Sequence, residues 1–212
     1  MNLMEKIKAG RQYRNMVLET RDEDEYIVEG YATTFNEPYI MYSDDDIEIW
    51  EQVAQDAFKT CDMNDCIMQY NHEGKVFARV SNETLELSTD NHGLLIKGYL
   101  GGTSSGRQLY EEIKGGYTTK MSFGFTVGAD DVEESKEGGK QIYLRTIRKI
   151  SKLYDVSAVS IPANDGTEIS ARAFIDGVIA KAEAERLLKA ENERKHKKME
   201  LKLKLLNMEE KG

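Results

Sequence analysis

The chain has 212 residues, 40% of them apolar and 32% charged, with a formal net charge of -9. This composition predicts one soluble domain with appendages, and its acidity excludes a binder that tracks nucleic-acid phosphates. No run approaches the roughly 18–20 apolar residues of a membrane span, no apolar leader is expected, and two cysteines, Cys61 and Cys66, fit a reducing cytoplasm better than a disulfide framework.

The first strand signal is residues 26–31, followed by a helical pattern over 49–60 that sets Val53, Ala57 and Phe58 on one face. An apolar run, Ile67-Met-Gln-Tyr, then reads as a buried strand emerging into a loop. Residues 84–87 and 94–100 read as strands, separated by a turn at 90–93. The glycine-rich stretch 101–106 reads as a mobile linker. It leads into a helix over 107–114, which Gly115-Gly116 stops. Strands are expected at 122–127, 141–150 and 155–161, with a turn at 137–139 and Pro162 ending the last ladder. Such a series predicts a mainly β domain with peripheral helices (α+β), built on a closed or strongly curved, antiparallel-rich barrel.

From about Ala171 the character changes to a charged helical tail with an apolar face that thins after Leu188. Residues 1–180 carry 19 basic and 31 acidic side chains, a net of -12, whereas 181–212 carry 10 and 7, a net of +3. The expected division is therefore a domain over 1–172 and a tail over 173–212 that docks or self-associates. Leu201, Leu203 and Leu205 alternate with lysines, so the last dozen residues fit neither period cleanly.

The chain has three histidines. His196 lies among tail lysines and His92 in a hairpin turn, which leaves His72, at the end of a buried strand, as the candidate base. The alternative reading is a half-buried histidine that merely caps the strand. Cys61, Cys66 and His72 match no zinc spacing, so no metal site and no cofactor is expected. Ser122 sits in a core segment, Met121-Ser-Phe-Gly-Phe-Thr-Val, where it is either a nucleophile or a small packing residue. Asp155 opens an apolar strand, so its carboxylate either has a partner or reaches solvent. Cys66, Ser104 and Ser105 are rival nucleophiles for another type of hydrolase.

Five segments in order, Gly30-Tyr-Ala-Thr-Thr-Phe-Asn, Gln69-Tyr-Asn-His-Glu, Asp90-Asn-His-Gly-Leu, Lys120-Met-Ser-Phe-Gly-Phe and Leu153-Tyr-Asp-Val-Ser-Ala-Val-Ser-Ile-Pro-Ala-Asn, carry a resemblance. The chain resembles the prohead (head maturation) proteases of tailed bacteriophages, a family related in fold to herpesvirus assemblins. The resemblance implies a serine endopeptidase with a herpesvirus-protease-like barrel, in which Ser122 is the nucleophile and His72 the base. Asp155 stands where the family usually has Glu, and is implied as the carboxylate that orients His72. Backbone donors, with Arg79 as a helper, would stabilise the oxyanion. The implied substrates are a separate scaffold protein or the scaffolding segment of the major capsid protein, and the protease itself. The implied setting is the bacterial host cytoplasm, inside the assembling prohead, with no nucleic acid or membrane partner. The rival of another class is a catalytically inactive capsid-assembly or scaffolding factor that keeps the fold and recruits capsid subunits through its tail.

Overall fold

Alternation of apolar and polar side chains decides most of the elements in the computed structural model, which describes residues 12–22, 25–160 and 169–209. In chain order they are β1 (Gln12–Val17), β2 (Glu19–Asp22), β3 (Ile27–Thr34), β4 (Tyr39–Ser43), β5 (Ile47–Val53), β6 (Ile67–Tyr70) and β7 (Glu73–Arg79). A 3₁₀ turn (Val80–Asn82) precedes β8 (Leu85–Thr89) and β9 (Gly93–Tyr99). Then come α1 (Ser104–Lys114), β10 (Lys120–Glu137), β11 (Lys140–Val159) and α2 (Ile169–Glu209).

The mainly β class with peripheral helices holds, but the closed or strongly curved barrel does not form. The strands make two open sheets. One has seven strands in the order β1-β10-β11-β5-β4, with β6 and β7 branching from β11; the other is β2-β3-β9-β8. A barrel needs its last strand to pair with its first, and here each sheet ends on strands bonded on one side only. The chain changes sheets at Leu18, buried between β1 and β2, whose N–H donates to Thr119 O. The long β11 also divides its free edge. Residues 141–147 pair in parallel with β5 and residues 155–158 with β6.

The sheets share one core. Val28, Ala32, Leu94 and Ile96 from the smaller sheet meet Met68, Met121, Phe123, Val156 and Ala158 from the larger. The helix α1 adds Leu109, Tyr110 and Ile113 to the same cluster. Strand 122–127 proves to be the start of an 18-residue β10, and 141–150 and 155–161 merge into β11. Four register shifts between the two strands, from Gly124 to Asp130, reset the alternation and hide the continuity from a periodic reading.

The helix expected over 49–60 is not there. Ile47, Ile49, Glu51 and Val53 are buried alternately as strand β5, and Ala57 and Phe58 reach the core from the turn that follows. Period two over seven residues outweighs a helical pattern carried by three. The expected linker at 101–106 is also corrected. Thr103 caps α1, its hydroxyl accepting from Gly106 N–H at 2.9 Å, so Ser104 and Ser105 belong to the first helical turn. Pro162 and the end of the expected strand 155–161 lie outside the described residues.

The contacts divide the chain into Met1–Arg172 and Ala173–Gly212. In the second unit α2 continues to Glu209, so the leucine–lysine alternation at 201–205 is helical, as the propensities of Lys, Leu and Glu favour. Along it, Lys181–Glu185 and Glu191–Lys195 pair at i,i+4. No helix among the described residues is long and apolar enough to cross a membrane.

Candidate active site

His72 owes its position to a two-residue hairpin. Tyr70 and Glu73 are paired across β6 and β7, leaving Asn71 and His72 as the turn. Both have positive φ, 48° and 59°, as a type I′ turn demands. Asn tolerates that region; a histidine there costs on the order of 1–2 kcal/mol, the kind of local strain that concentrates at functional sites. Asn71 offsets it by tying the turn to the end of β11. Its N–H donates to Ala158 O at 2.9 Å, and its side chain accepts from Ser160 N–H and donates to Ser160 Oγ. Asn71 is exposed while His72 is buried, so the turn drives the imidazole inward.

There it meets Asp155. His72 Nδ1 lies 2.5 Å from Asp155 Oδ1, with both side chains buried. A carboxylate only accepts, so Nδ1 carries the proton and Nε2 is the basic nitrogen. The same Asp155 oxygen accepts a second bond, from the Ser157 hydroxyl at 2.8 Å. Asp155 Oδ2 is buried without a hydrogen-bond partner among the described residues.

Ser122 lies on the neighbouring strand, paired directly with Ser157 across β10 and β11, while Gly124 pairs with Asp155. Gly124 puts no side chain opposite the carboxylate. Ser122 is 1% exposed, and its Oγ is the other buried side-chain atom with no hydrogen-bond partner among the described residues. In this state no hydrogen bond joins Ser122 to His72. Three adjacent strands, β6, β11 and β10, thus gather the three residues singled out from sequence, two of them bonded and the third an orphan hydroxyl.

The rival nucleophiles are differently placed. Cys66 is fully buried beside the start of β6; burial, with the Asp155 charge added, pushes its thiol far above the ordinary range and keeps it protonated. Burial likewise raises Cys61 to about 11. Ser104 is exposed at the start of α1, and Ser105 accepts from Lys75 Nζ at 2.9 Å. Arg79, the expected oxyanion helper, stands at the far end of β7 from the His72 turn, paired with Asp65 at 2.7 Å. His92 packs edge-on against Tyr31 in the 90–93 turn, where Asp90 accepts from the N–H groups of His92 and Gly93. Among the described residues no group of three or more His, Cys, Asp or Glu converges as a metal site.

Sequence reasoning missed Ser157 and Asn71. Each left a signal: a hydroxyl inside Val156-Ser-Ala-Val, and an Asn at the first place of a two-residue hairpin.

An imidazole tied to a carboxylate through one nitrogen, among strand-borne hydroxyls, can carry a proton to and from a nucleophile. The chain belongs to the caudovirus prohead serine protease family, whose description matches residues 14–178. It is similar to the prohead protease of Enterobacteria phage HK97, at 31% identity over 163 residues. That match covers 75% of this chain and 65% of the relative, so the chain spans just under two thirds of the relative's length. No solved structure matches it significantly.

Proposed function

We propose that this chain is a serine endopeptidase of head maturation, in which Ser122 attacks, His72 moves the proton and Asp155 holds His72. The observation that carries the proposal is the buried His72–Asp155 bond beside a strand whose Ser122 hydroxyl is left without a partner. A buried hydroxyl normally finds a partner; an orphan on the strand paired with the one that carries Asp155 is available for chemistry. Catalytic hydrogen bonds are often loose without substrate and tighten when it binds.

The steps follow from the proton inventory. Ser122 Oγ forms a bond to the scissile carbonyl carbon as its proton passes to His72 Nε2. The imidazolium gives that proton to the leaving nitrogen, and the C–N bond breaks. Water then attacks the acyl-enzyme, His72 takes its proton, and Ser122 Oγ is released with that proton. Asp155 stabilises the imidazolium in both halves, and backbone N–H groups serve the oxyanion.

The substrate class is a capsid scaffold protein or the scaffolding segment of the major capsid protein, processed within the assembling prohead in the bacterial host. That reading rests on family membership and on the name of the HK97 relative. Residues 1–172 form the protease domain in this proposal. The basic tail over 173–212 is a docking or self-association arm that the protease also removes from itself. The inactive-factor reading has less support, because an assembly factor gains nothing from two orphan polar atoms and a strained histidine in its core. Coexpression with capsid and scaffold proteins tests the proposal. The wild type shortens one of them and its own tail, as intact mass reads; Ser122→Ala leaves all full length. Equal processing by both rules it out.

A further inference from the structure

We propose that Ser157 is a positioning residue for this reaction: its hydroxyl fixes the Asp155 carboxylate that in turn orients His72. The inference rests on the roles given above to His72 and Asp155. It begins from an oddity of composition. Ser157 is 0% exposed among Val156, Ala158 and Val159, all buried, where an alanine would pack without any polar group to satisfy. The period of a strand puts residues 155 and 157 on one face, and the Ser157 hydroxyl donates to Asp155 Oδ1 at 2.8 Å.

Asp155 needs that bond. Among the described residues its Oδ2 has no hydrogen-bond partner, and the side chains that hold the carboxylate are His72 and Ser157, both on Oδ1. A carboxylate held by a single imidazole could turn about χ2 and carry the ring with it. The second donor, fixed in the middle of a paired strand, removes that freedom. It also draws charge away from the oxygen that faces His72, since a hydrogen bond donated to a carboxylate stabilises its negative charge.

The position matters for a second reason. Ser157 is the cross-strand partner of Ser122. Its proton is committed to Asp155, so it does not donate to the Ser122 oxygen and blunt it as a nucleophile. Cys66, whose thiol feels the Asp155 charge, is kept neutral by burial and adds no charge beside the carboxylate.

The test uses the full chain and a fluorophosphonate probe, which reacts with an activated serine and requires no known substrate. Labelling rates at Ser122 are measured against pH for the wild type, Ser157→Ala and Ser157→Thr. In parallel, the downfield proton resonance of His72 Nδ1–H is followed, assigned by its loss in His72→Ala. Ser157→Ala is expected to label about 10- to 100-fold more slowly, the range for losing a hydrogen bond to a charged group. The acidic limb of its pH profile moves to higher pH, because the unshared Asp155 charge holds the imidazolium more tightly. The His72 resonance shifts in the same variant, and Ser157→Thr, which keeps the hydroxyl, returns all three observables towards wild type. Circular dichroism checks each fold; if Thr is not accommodated, the Ala variant and the resonance decide. A Ser157→Ala protein with wild-type rate, limb and resonance overturns the proposal, as does a well-folded Thr variant that behaves like Ala. Failure of the wild type itself to label counts against Ser122 as nucleophile, and the resonance then decides the Ser157 proposal on its own.

Discussion

The larger sheet buries two polar clusters on the same long strand, and they are finished differently. Around Glu51, fully buried on β5, every charge is answered. Arg14 binds both carboxylate oxygens at 2.5 and 2.8 Å, Arg145 adds a bond at 3.0 Å, the Tyr39 hydroxyl donates to it, and Asp130 takes the Nε–H of Arg145 at 2.5 Å. Register explains the convergence, since Tyr39, Glu51 and Arg145 lie in one row across β4, β5 and β11. Ten residues further along β11, Asp155 keeps one oxygen, and its neighbour strand the Ser122 hydroxyl, without a hydrogen-bond partner among the described residues. A saturated buried network rigidifies a fold, whereas an unsaturated one holds capacity in reserve. The contrast marks the Ser122–Asp155 cluster as a candidate site without reference to family.

That contrast can be broken most sharply at the unsaturated cluster. Ser122→Ala should abolish fluorophosphonate labelling and processing outright while leaving the denaturation midpoint close to wild type, because it removes an unmade bond. Asp155→Asn should keep the fold but slow labelling by about 10⁴-fold, the scale seen when a triad carboxylate no longer fixes the tautomer. Rates within tenfold of wild type for either variant would put the site elsewhere.

The saturated cluster should respond in the opposite currency, stability. Burial alone would raise the Glu51 carboxyl, but the Arg14 charge and hydrogen bonds, with Arg145 and Tyr39, outweigh it and hold the group below its ordinary range. A depressed folded-state value means that Glu51 stabilises the fold above the unfolded carboxylate range and loses that contribution as pH falls through the folded value. Glu51→Gln should cost roughly 3–5 kcal/mol by urea unfolding at neutral pH, because it removes the buried carboxylate charge that Arg14 and Arg145 share. The deficit should narrow as pH falls through the Glu51 transition, and labelling per folded molecule should stay at the wild-type rate.

Smaller effects sharpen the picture of the turn and the thiols. Asn71→Ala should cost about 1–2 kcal/mol, from a left-handed residue that no longer tolerates its backbone and from the lost Ser160 bonds. Asn71→Gly, which relieves the backbone but not the tie, should cost less. A ranking of Ala above Gly in stability would contradict the turn assignment. Alkylation of the native protein near pH 8 should be slow at Cys61, slower still at Cys66, and rapid at both once urea exposes them.

Much of this was legible before any coordinates. Runs such as 26–31, 84–87 and 94–100 betray strands because one face is solvated and the other buried. Asp155 stood out because a carboxylate opening an apolar run must either find a partner or reach solvent, and it bonds His72 and Ser157. What escaped depended on long-range pairing. The helix read over 49–60 dissolved because Glu51 is a buried polar residue, which corrupts a hydrophobic pattern while its partners, Arg14 and Arg145, lie far away in sequence. The barrel failed because no local pattern records that the chain changes sheets at Leu18 or that β11 shares one edge between β5 and β6. Ser157 escaped because a small hydroxyl in a core strand looks like packing until the atom across from it is known.

The central claim is that one buried hydroxyl, Ser122 Oγ, is made reactive by one imidazole, His72. Peptide mapping of the wild-type chain after fluorophosphonate treatment tests this most directly. The account predicts a single adduct, on Ser122, lost in His72→Ala although that variant remains folded. An adduct on Ser104, Ser105 or any other side chain, or labelling of Ser122 that is indifferent to His72, would contradict it.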